Sequence, residues 1–232
     1  MSPFFGYDLA MPRTARASAG GVCYHVLNRG NSGAAVFDDD GDYEAFAGLL
    51  RDAAERIPMR ILAWALMPNH FHFVLWPYKD GDLGRWMQWL MTAHVRRYHR
   101  HHGSAGHIWQ GRFRAFPIQG DWHLLTVVRY VERNPVRARL VDRAELWPWS
   151  SAGAGPNDPR HSLLHSGPIA RGPGWQELLN APMGESAVAE VRHSVVRGTP
   201  YGDESWRRAM AERLGLQASL NPRGRPRLTA KK

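Results

Sequence analysis

Two histidines stand one residue apart in the middle of an apolar segment. They are His70 and His72, separated by Phe71, within residues 66–76. In a β-strand successive side chains point to opposite faces, so both imidazoles project from one face of an otherwise hydrophobic strand. Burying two polar rings side by side is costly unless they bind a partner, and a divalent metal ion is a common one. The alternative is that each ring is satisfied by a neighbouring hydrogen bond.

The composition indicates a globular protein with a strong positive charge. A chain of 232 residues allows one large domain or one domain with an appendage, and 44% hydrophobic residues can form a core. The formal net charge is +9, which favours a polyanionic partner, either nucleic acid or an anionic membrane. The same charge could instead serve only solubility. No apolar run approaches the roughly 18 residues of a membrane-spanning helix.

The cysteine count and the N-terminal residues indicate the cellular compartment. Cys23 is the only cysteine, which excludes a disulfide framework and a cysteine-based zinc site. Residues 1–21 lack the apolar stretch of a signal peptide, and we expect them to be flexible. With the positive charge, these features predict a cytoplasmic, nucleoid-associated protein.

Hydrophobic periodicity predicts alternating strands and helices over the first part of the chain. Apolar stretches predict four strands, at residues 22–27, 59–67, 71–76 and 113–118. Helical spacing of apolar residues predicts three helices, at residues 42–56, 82–100 and 121–133. Acidic residues at 38–42 and Asp121 can cap two of these helices, and Pro135 must break or end the third. The order β-α-β-β-α-β-α is typical of an α+β fold in which helices cover one face of an antiparallel sheet.

The composition changes after residue 152, where the main predicted domain (22–152) ends. Residues 153–174 are rich in Gly, Pro, Ser and His and predict a loop. Residues 175–220 predict a small helical appendage, and residues 221–232 predict a basic tail. In the tail, Arg223-Gly224-Arg225 between two prolines resembles an AT-hook core, which enters the minor groove of A·T-rich DNA. A generic basic tail fits the same residues.

A tyrosine and an asparagine could complete a site with the histidine pair. Tyr130 and Asn134 stand at i and i+4 of the third predicted helix, so they lie on one helical face. An amide oxygen of Asn134 could make a His-His-Asn set of metal ligands, with the Tyr130 hydroxyl one turn away. A tyrosine beside a metal that binds phosphate is suited to act as a nucleophile. The alternative is a tyrosine that packs its ring and bonds its hydroxyl outward.

Four sequence blocks, in this order, resemble one enzyme family. They are MPNHFH at 67–72, WQGRF at 109–113, RYVERNPVRA at 129–138 and WPWSS at 147–151. Over about residues 12–152 the chain resembles the single-tyrosine HUH transposases, and most closely the REP-associated tyrosine transposases. The resemblance implies a ferredoxin-like fold around a four-stranded antiparallel sheet. It also implies Tyr130 as the catalytic residue and His70, His72 and Asn134 as metal ligands, although many relatives have Gln at the last position.

The resemblance implies cleavage and rejoining of single-stranded DNA at hairpin or palindromic sites such as REP elements. Tyr130 would attack a backbone phosphorus, forming a 5′-phosphotyrosine link and releasing a 3′-hydroxyl. The family uses Mg or Mn, which would neutralise charge on the phosphate oxygens. Two imidazoles by themselves suit Zn, Mn or Ni better than Mg. The REP-associated branch also favours a monomer over a homodimer.

Several groups of basic residues are candidates for contact with DNA phosphates. One group surrounds Tyr98 at the end of the second predicted helix, and another flanks Phe113, on which a base could stack. With one arginine from the first strand and two from the tail, the predicted DNA-binding residues are Arg29, Arg96, Arg97, Arg100, Arg112, Arg114, Arg223 and Arg225. A solvated basic surface is the alternative for the helical group.

Two other function classes fit part of these features. A non-catalytic nucleic-acid-binding regulator on a ferredoxin-like sheet would keep the basic helix. It would have no reason to combine His70 and His72 with Tyr130 and Asn134. A metal-dependent hydrolytic nuclease would use the same histidines with water as the nucleophile, but it usually carries more carboxylates, and none stands in the histidine block.

Overall fold

A four-stranded antiparallel sheet forms the centre of the structure. The computed structural model describes residues 18–155 and 157–221. The strands are β1 (Cys23–Arg29), β2 (Met59–Met67), β3 (His70–Pro77) and β4 (Arg114–Ile118). Their order across the sheet is β2-β3-β1-β4, and each neighbouring pair is antiparallel. All four predicted strands are therefore present, with their ends shifted by no more than two residues.

The helices begin and end close to the capping residues that the sequence offers. They are α1 (Asp40–Arg56), α2 (Asp82–His102), α3 (Trp122–Glu132), α4 (Asn134–Arg137), α5 (Trp175–Asn180), α6 (Glu185–Arg197), α7 (Glu204–Leu214) and α8 (Gln217–Leu220). Asp39 caps α1 by accepting a hydrogen bond from the Asp42 amide, and Asp121 caps α3 through the His123 amide. Pro135 lies in the first turn of α4, where a missing N–H costs no bond, so α3 ends before it.

The order β1-α1-β2-β3-α2-β4 with this strand arrangement is ferredoxin-like, which confirms the predicted fold. The expectation that the helices share one face was wrong. Side chains of α1 and α2, such as Phe46 and Trp86, form one core with Phe71, whereas Val127 of α3 belongs to a second core with Val74. The reason is that β2 is apolar on both sides and β3 carries Val74 beside its two histidines, so residues on both sides of these strands are buried.

Residues beyond 148 cover both edges of the sheet. Along β2, the Ser151 and His165 amides donate to the carbonyl oxygens of Trp64 and Ile61. Along β4, the Gln119 amide donates to the Tyr201 carbonyl oxygen at 2.9 Å. Such cover removes the free backbone groups through which an edge strand could pair with another chain. The division of the chain at residue 152 stays a prediction.

The C-terminal helices also contribute side chains to both cores. Met210 and Leu214 of α7 join the core beneath α1 and α2. Val191 of α6 and Tyr201 join the core beneath α3. The last helices therefore pack on the sheet on both of its sides.

Some predictions concern parts of the chain outside the described residues. Most of the N-terminal segment expected to be flexible (1–21) lies there, as does the basic tail beyond Asn221, with Arg223 and Arg225. Among the helices that the structure does describe, none has both the length and the apolar character needed to cross a membrane.

We predict that Phe71→Ala lowers the free energy of unfolding by about 3–5 kcal/mol, because Phe71 is fully buried and its loss leaves a cavity. Urea denaturation followed by circular dichroism measures the change. Leu146→Ala is the control: Leu146 is 58% exposed, so the expected change is within about 0.5 kcal/mol. Equal effects of the two substitutions would contradict the assignment of Phe71 to the core.

Candidate active site

The two histidines of β3 lie on the face of the sheet that α3 covers. Alternation along the strand sends Phe71 and Phe73 into the core beneath α1 and α2, and His70 and His72 to the opposite side. The two imidazole rings are 5.1 Å apart between centroids. His72 is buried and His70 is half-buried. The structure therefore keeps the predicted pair together on one face.

Each histidine uses its Nδ1 atom for a hydrogen bond within the protein. His70 Nδ1 lies 2.6 Å from Oδ1 of Asn69, whose own amide nitrogen donates to the Gly33 carbonyl oxygen. His72 Nδ1 lies 2.9 Å from Nε2 of His25, a fully buried histidine on β1. Among the described residues, neither His70 nor His72 has a hydrogen-bond partner at Nε2. Neither Nε2 atom is therefore engaged by another group of the described protein.

Burial keeps both rings uncharged near neutral pH. Burial lowers the pKa of His70 to about 4, and the positive charges of Arg29 and Arg137 lower it further. Burial also holds the pKa of His72 well below its ordinary value, with smaller effects from His25, His70 and Arg137. A neutral imidazole offers a lone pair, which is the form that binds a metal ion. The donor atoms of this pair thus fit a divalent cation.

Tyr130 reaches the histidine pair from α3. Its ring is buried, and its centroid lies 6.1 Å from that of His72 and 6.0 Å from that of His25. Within the described residues, the Tyr130 hydroxyl makes no hydrogen bond to a protein group. The tyrosine singled out by sequence spacing is therefore the one that the fold brings next to His72.

Asn134 lies one turn beyond Tyr130, at the start of α4. Its Nδ2 donates to the Tyr130 carbonyl oxygen at 3.1 Å, and its Oδ1 accepts a hydrogen bond from the Arg137 guanidinium. Asn134 is buried. The amide oxygen needed for a third metal ligand is therefore present in the site, but Arg137 occupies it.

Arg137 and His25 are two residues of the site that the sequence reasoning missed. The Arg137 guanidinium lies 4.2 Å above the Tyr130 ring and pairs with no carboxylate in the described part of the chain. Its position seven residues after Tyr130, two helical turns on, could have identified it. The contact of His25 with His72 depends on the pairing of β1 with β3, which a local pattern does not reveal.

Two of the predicted DNA-binding arginines border the histidine face. Arg29 lies directly opposite His70 in the pairing of β1 with β3. Arg114 of β4 lies opposite Leu27, which in turn lies opposite His72, so all three side chains share one face. Both arginines are exposed. The sheet therefore places two cations beside the candidate site.

A basic groove runs along β4 between α2 and the C-terminal helices. Its volume is about 1130 Å³, and Phe113 and Met91 contribute to its lining. No acidic residue is among the described residues that line it. Its arginines are Arg85, Arg112, Arg114 and Arg197. Arg114 lines this groove and also borders the histidine face.

A protein-family match covers the part of the chain that holds these residues. The model of the family described as IS200-like transposases matches residues 18–134, just over half of the chain. The matched segment contains His70, His72, Tyr130 and Asn134. The protein belongs to the IS200-like transposase family.

The relatives compared with this chain share little sequence identity with it. A protein of Haemophilus influenzae named as a candidate REP-associated tyrosine transposase is 26% identical over 116 residues, which are 46% of this chain and 66% of the relative. This chain thus spans slightly less than two thirds of the relative's length. A solved REP-associated tyrosine transposase bound to a REP hairpin is 22% identical, with coverage of 65% of this chain and 82% of that chain, at a TM-score of 0.49. A candidate transposase from Deinococcus radiodurans is 16% identical, with coverage of 56% and 92%, at a TM-score of 0.35.

The three predicted DNA-binding arginines near the end of α2 differ in whether they pair with a carboxylate. Arg97 donates to the buried carboxylate of Asp42 at 3.0 Å, and His102 contacts the same carboxylate. This pairing joins α2 to α1 and leaves Arg97 less available to a phosphate. Arg96 and Arg100 are exposed on the helix surface. Of the three, these two remain suited to DNA contact.

Two further groups of acidic and histidine side chains have ligand atoms within 4.8 Å of one another. One consists of Asp42, His101 and His102, and the other of Asp121, His123 and Asp203. The carboxylates of both groups already have protein partners: Asp42 binds Arg97, Asp121 caps α3 and contacts His123, and Asp203 accepts from Gln119. In the histidine pair, by contrast, neither Nε2 atom has a hydrogen-bond partner among the described residues.

We predict that the affinity of the histidine pair for Zn²⁺ changes little between about pH 8 and about pH 6, because both rings are already neutral there. Exposed histidines, with a pKa of about 6.5, would gain protons and lose affinity over this range. Calorimetric titration at several pH values measures the affinity. His70→Ala is the control, because its loss of the binding heat would show that the heat arises from Zn²⁺ binding at this site. A tenfold loss of wild-type affinity by about pH 6 would contradict the prediction.

Proposed function

We propose that this protein breaks and rejoins single-stranded DNA by transesterification, with Tyr130 as the nucleophile. The observation that carries the proposal is the contact of the buried Tyr130 ring with His72, whose ring lies 5.1 Å from that of His70. Both histidines are neutral, and neither Nε2 atom has a hydrogen-bond partner among the described residues. This arrangement lies within the segment that matches the IS200-like transposase family. The substrate class that we propose is REP-type DNA, in line with the name of the Haemophilus relative. Its hairpin or palindromic form is what the resemblance of the four sequence blocks implies.

In the proposed reaction, the Tyr130 hydroxyl oxygen attacks a backbone phosphorus. One P–O bond forms to the tyrosine and the bond to the 3′ oxygen breaks, which leaves a 5′-phosphotyrosine and a free 3′-hydroxyl. The phenol gives up its proton and the departing 3′ oxygen gains one. Because the covalent link keeps the free energy of the phosphodiester, attack by another 3′-hydroxyl can rejoin DNA without ATP.

A divalent cation, Mg or Mn, fits the donor atoms of the site. His70 and His72 would hold it through Nε2, and Asn134 through Oδ1 once Arg137 releases that oxygen. A bound metal ion would act as a Lewis acid that neutralises charge on the phosphate oxygens. Two imidazoles favour Mn over Mg by ligand chemistry alone.

Arg137 is the cation best placed to bind the reacting phosphate. It lies over the Tyr130 ring and bonds only to a neutral amide oxygen among its polar contacts in the described chain. A guanidinium has five N–H donors in a planar fork that matches phosphate oxygens. Arg137 can therefore orient the phosphate toward the Tyr130 hydroxyl and stabilise the charge that develops on it.

The carboxylate nearest to Tyr130 along the helix is already engaged, which disfavours a hydrolytic nuclease. Glu132 is buried and accepts hydrogen bonds from Ser151 Oγ at 2.7 Å, Arg171 at 2.8 Å and Trp175 Nε1 at 3.0 Å. A hydrolytic enzyme needs a base to activate water. With both oxygens of Glu132 committed to structural partners, tyrosine is the better nucleophile.

The DNA would run from the histidine face into the basic groove. Arg29 and Arg114 border the site, and Arg112 lies in the groove with no acidic neighbour among the described lining residues. Bases could stack on apolar side chains while the arginines bind phosphates. Arg96 and Arg100 would add contacts, and Arg223 and Arg225 would reach a minor groove. A monomer is sufficient for this arrangement.

We predict that the protein, incubated with Mn²⁺ and a labelled single-stranded hairpin DNA, forms a covalent adduct that Tyr130→Phe abolishes. Denaturing gel electrophoresis detects the adduct as a shifted band. His70→Ala and a chelator should reduce it strongly, and Tyr78→Phe, at an exposed tyrosine, should leave it unchanged. Cleavage that persists in Tyr130→Phe would establish a hydrolytic nuclease instead, and binding of REP-type DNA without cleavage would favour a regulator.

We predict that Arg29→Ala and Arg114→Ala each weaken hairpin binding and reduce its salt dependence. Each lost phosphate contact should lower the slope of log affinity against log salt by about 0.7. Fluorescence anisotropy over a range of NaCl concentrations measures both quantities. Arg51→Ala is the control, since Arg51 is exposed on α1 and does not line the basic groove. An unchanged slope in both variants would remove these arginines from the interface.

A further inference from the structure

His70 and His72 differ in how their protonation is determined. Asn69 donates its Nδ2 hydrogen to the Gly33 carbonyl oxygen, so its Oδ1 faces His70 as an acceptor. His70 must therefore carry its hydrogen on Nδ1, which leaves a lone pair on Nε2. His72 instead bonds to another histidine, and either ring can donate in that bond. Only His70 is held permanently in the form that binds a metal ion.

The His25–His72 hydrogen bond thus has two arrangements. If His25 donates from Nε2, His72 accepts at Nδ1 and keeps its own hydrogen on Nε2, where it blocks a metal ion. If His72 donates from Nδ1, its Nε2 is free for a metal ion and His25 carries its hydrogen on Nδ1. Nδ1 of His25 is buried and has no partner within the described structure. A buried N–H donor without an acceptor costs free energy, so the second arrangement is unfavourable without a compensating interaction.

We infer that the His25–His72 bond is a two-position switch: His25 donates in the metal-free protein, and metal binding reverses the bond. In the reversal, one hydrogen leaves Nε2 of His72, one crosses from His25 Nε2 to His72 Nδ1, and one is taken up at His25 Nδ1. The charge of the pair is unchanged. His25 is then a positioning residue that sets the ligand form of His72. The inference rests on the proposed metal site.

The packing of His25 favours a role in orienting His72 over a role as a further ligand. His25 is fully buried on β1, and its ring stacks on that of His72 with the centroids 5.0 Å apart. The rings of Phe116 and Tyr130 make T-shaped contacts with it, at centroid distances of 5.0 and 6.0 Å. The ring therefore has little freedom to rotate. Partners that hydrogen-bond a metal-ligating histidine typically alter metal affinity by about 10–100-fold.

The direct test is nuclear magnetic resonance of the histidine side-chain nitrogens, with and without Zn²⁺. We expect the hydrogen of His72 to lie on Nε2 in the metal-free protein and on Nδ1 in the Zn²⁺-loaded protein, while His70 keeps its hydrogen on Nδ1. A His72 hydrogen on the same nitrogen in both states would overturn the inference.

Substitutions provide an independent measurement by calorimetry. His25→Phe should weaken Zn²⁺ binding by about 10–100-fold, because the His72 N–H loses its acceptor. His25→Gln, whose amide oxygen can accept that hydrogen, should recover most of the affinity. His94→Phe is the matched control: His94 is equally buried with an unpartnered Nδ1, but it packs against Phe46 beneath α1 and α2. Wild-type affinity in His25→Phe would overturn the inference.

The same measurements separate this inference from the proposed function. If the wild-type protein binds no Zn²⁺, or binds it equally well after His70→Ala, the metal site itself is wrong. If Zn²⁺ binding depends on His70 but the His72 hydrogen does not move, the metal site stands and the switch at His25 is wrong.

Discussion

The register between β1 and β3 is the constraint on which the candidate site depends. It directs Phe71 and Phe73 into one core and His70 and His72 onto the opposite face. A slip of one residue would exchange the two sets, placing imidazoles among phenyl rings and removing both aromatic groups from the core. The hydrophobic free energy of one face therefore holds the polar groups of the other face in position.

Burial without nearby negative charge sets the electrostatics of the site. The histidines are neutral because they are buried, and Arg29 and Arg137 reinforce this effect on His70. The neighbouring carboxylate of Glu132 is satisfied by other residues. The site thus combines uncharged imidazoles with cations that have no acidic partner in the described chain. A phosphate group would supply the negative charge that these groups lack.

The C-terminal part of the chain supports the site without contributing its predicted reactive groups. Residues near 150, 165 and 201 cover the two edge strands. Arg171 and Trp175 bind Glu132, which lies between Tyr130 and Asn134 on the chain. These bonds fix the end of α3, where a small displacement would move Tyr130 relative to the histidines. The packing of the later helices against both cores extends the same support.

By itself, the sequence determined the order of strands and helices, the shared face of His70 and His72, and the shared helical face of Tyr130 and Asn134. Each of these follows from periodicity within one element or from capping residues beside it. Only the tertiary structure decided that His25 meets His72, 47 positions away, and that Arg97 pairs with Asp42, 55 positions away. It also decided that α3 covers the second face of the sheet. Such contacts depend on how distant segments pack together, and a local pattern of residues carries no information about that pairing.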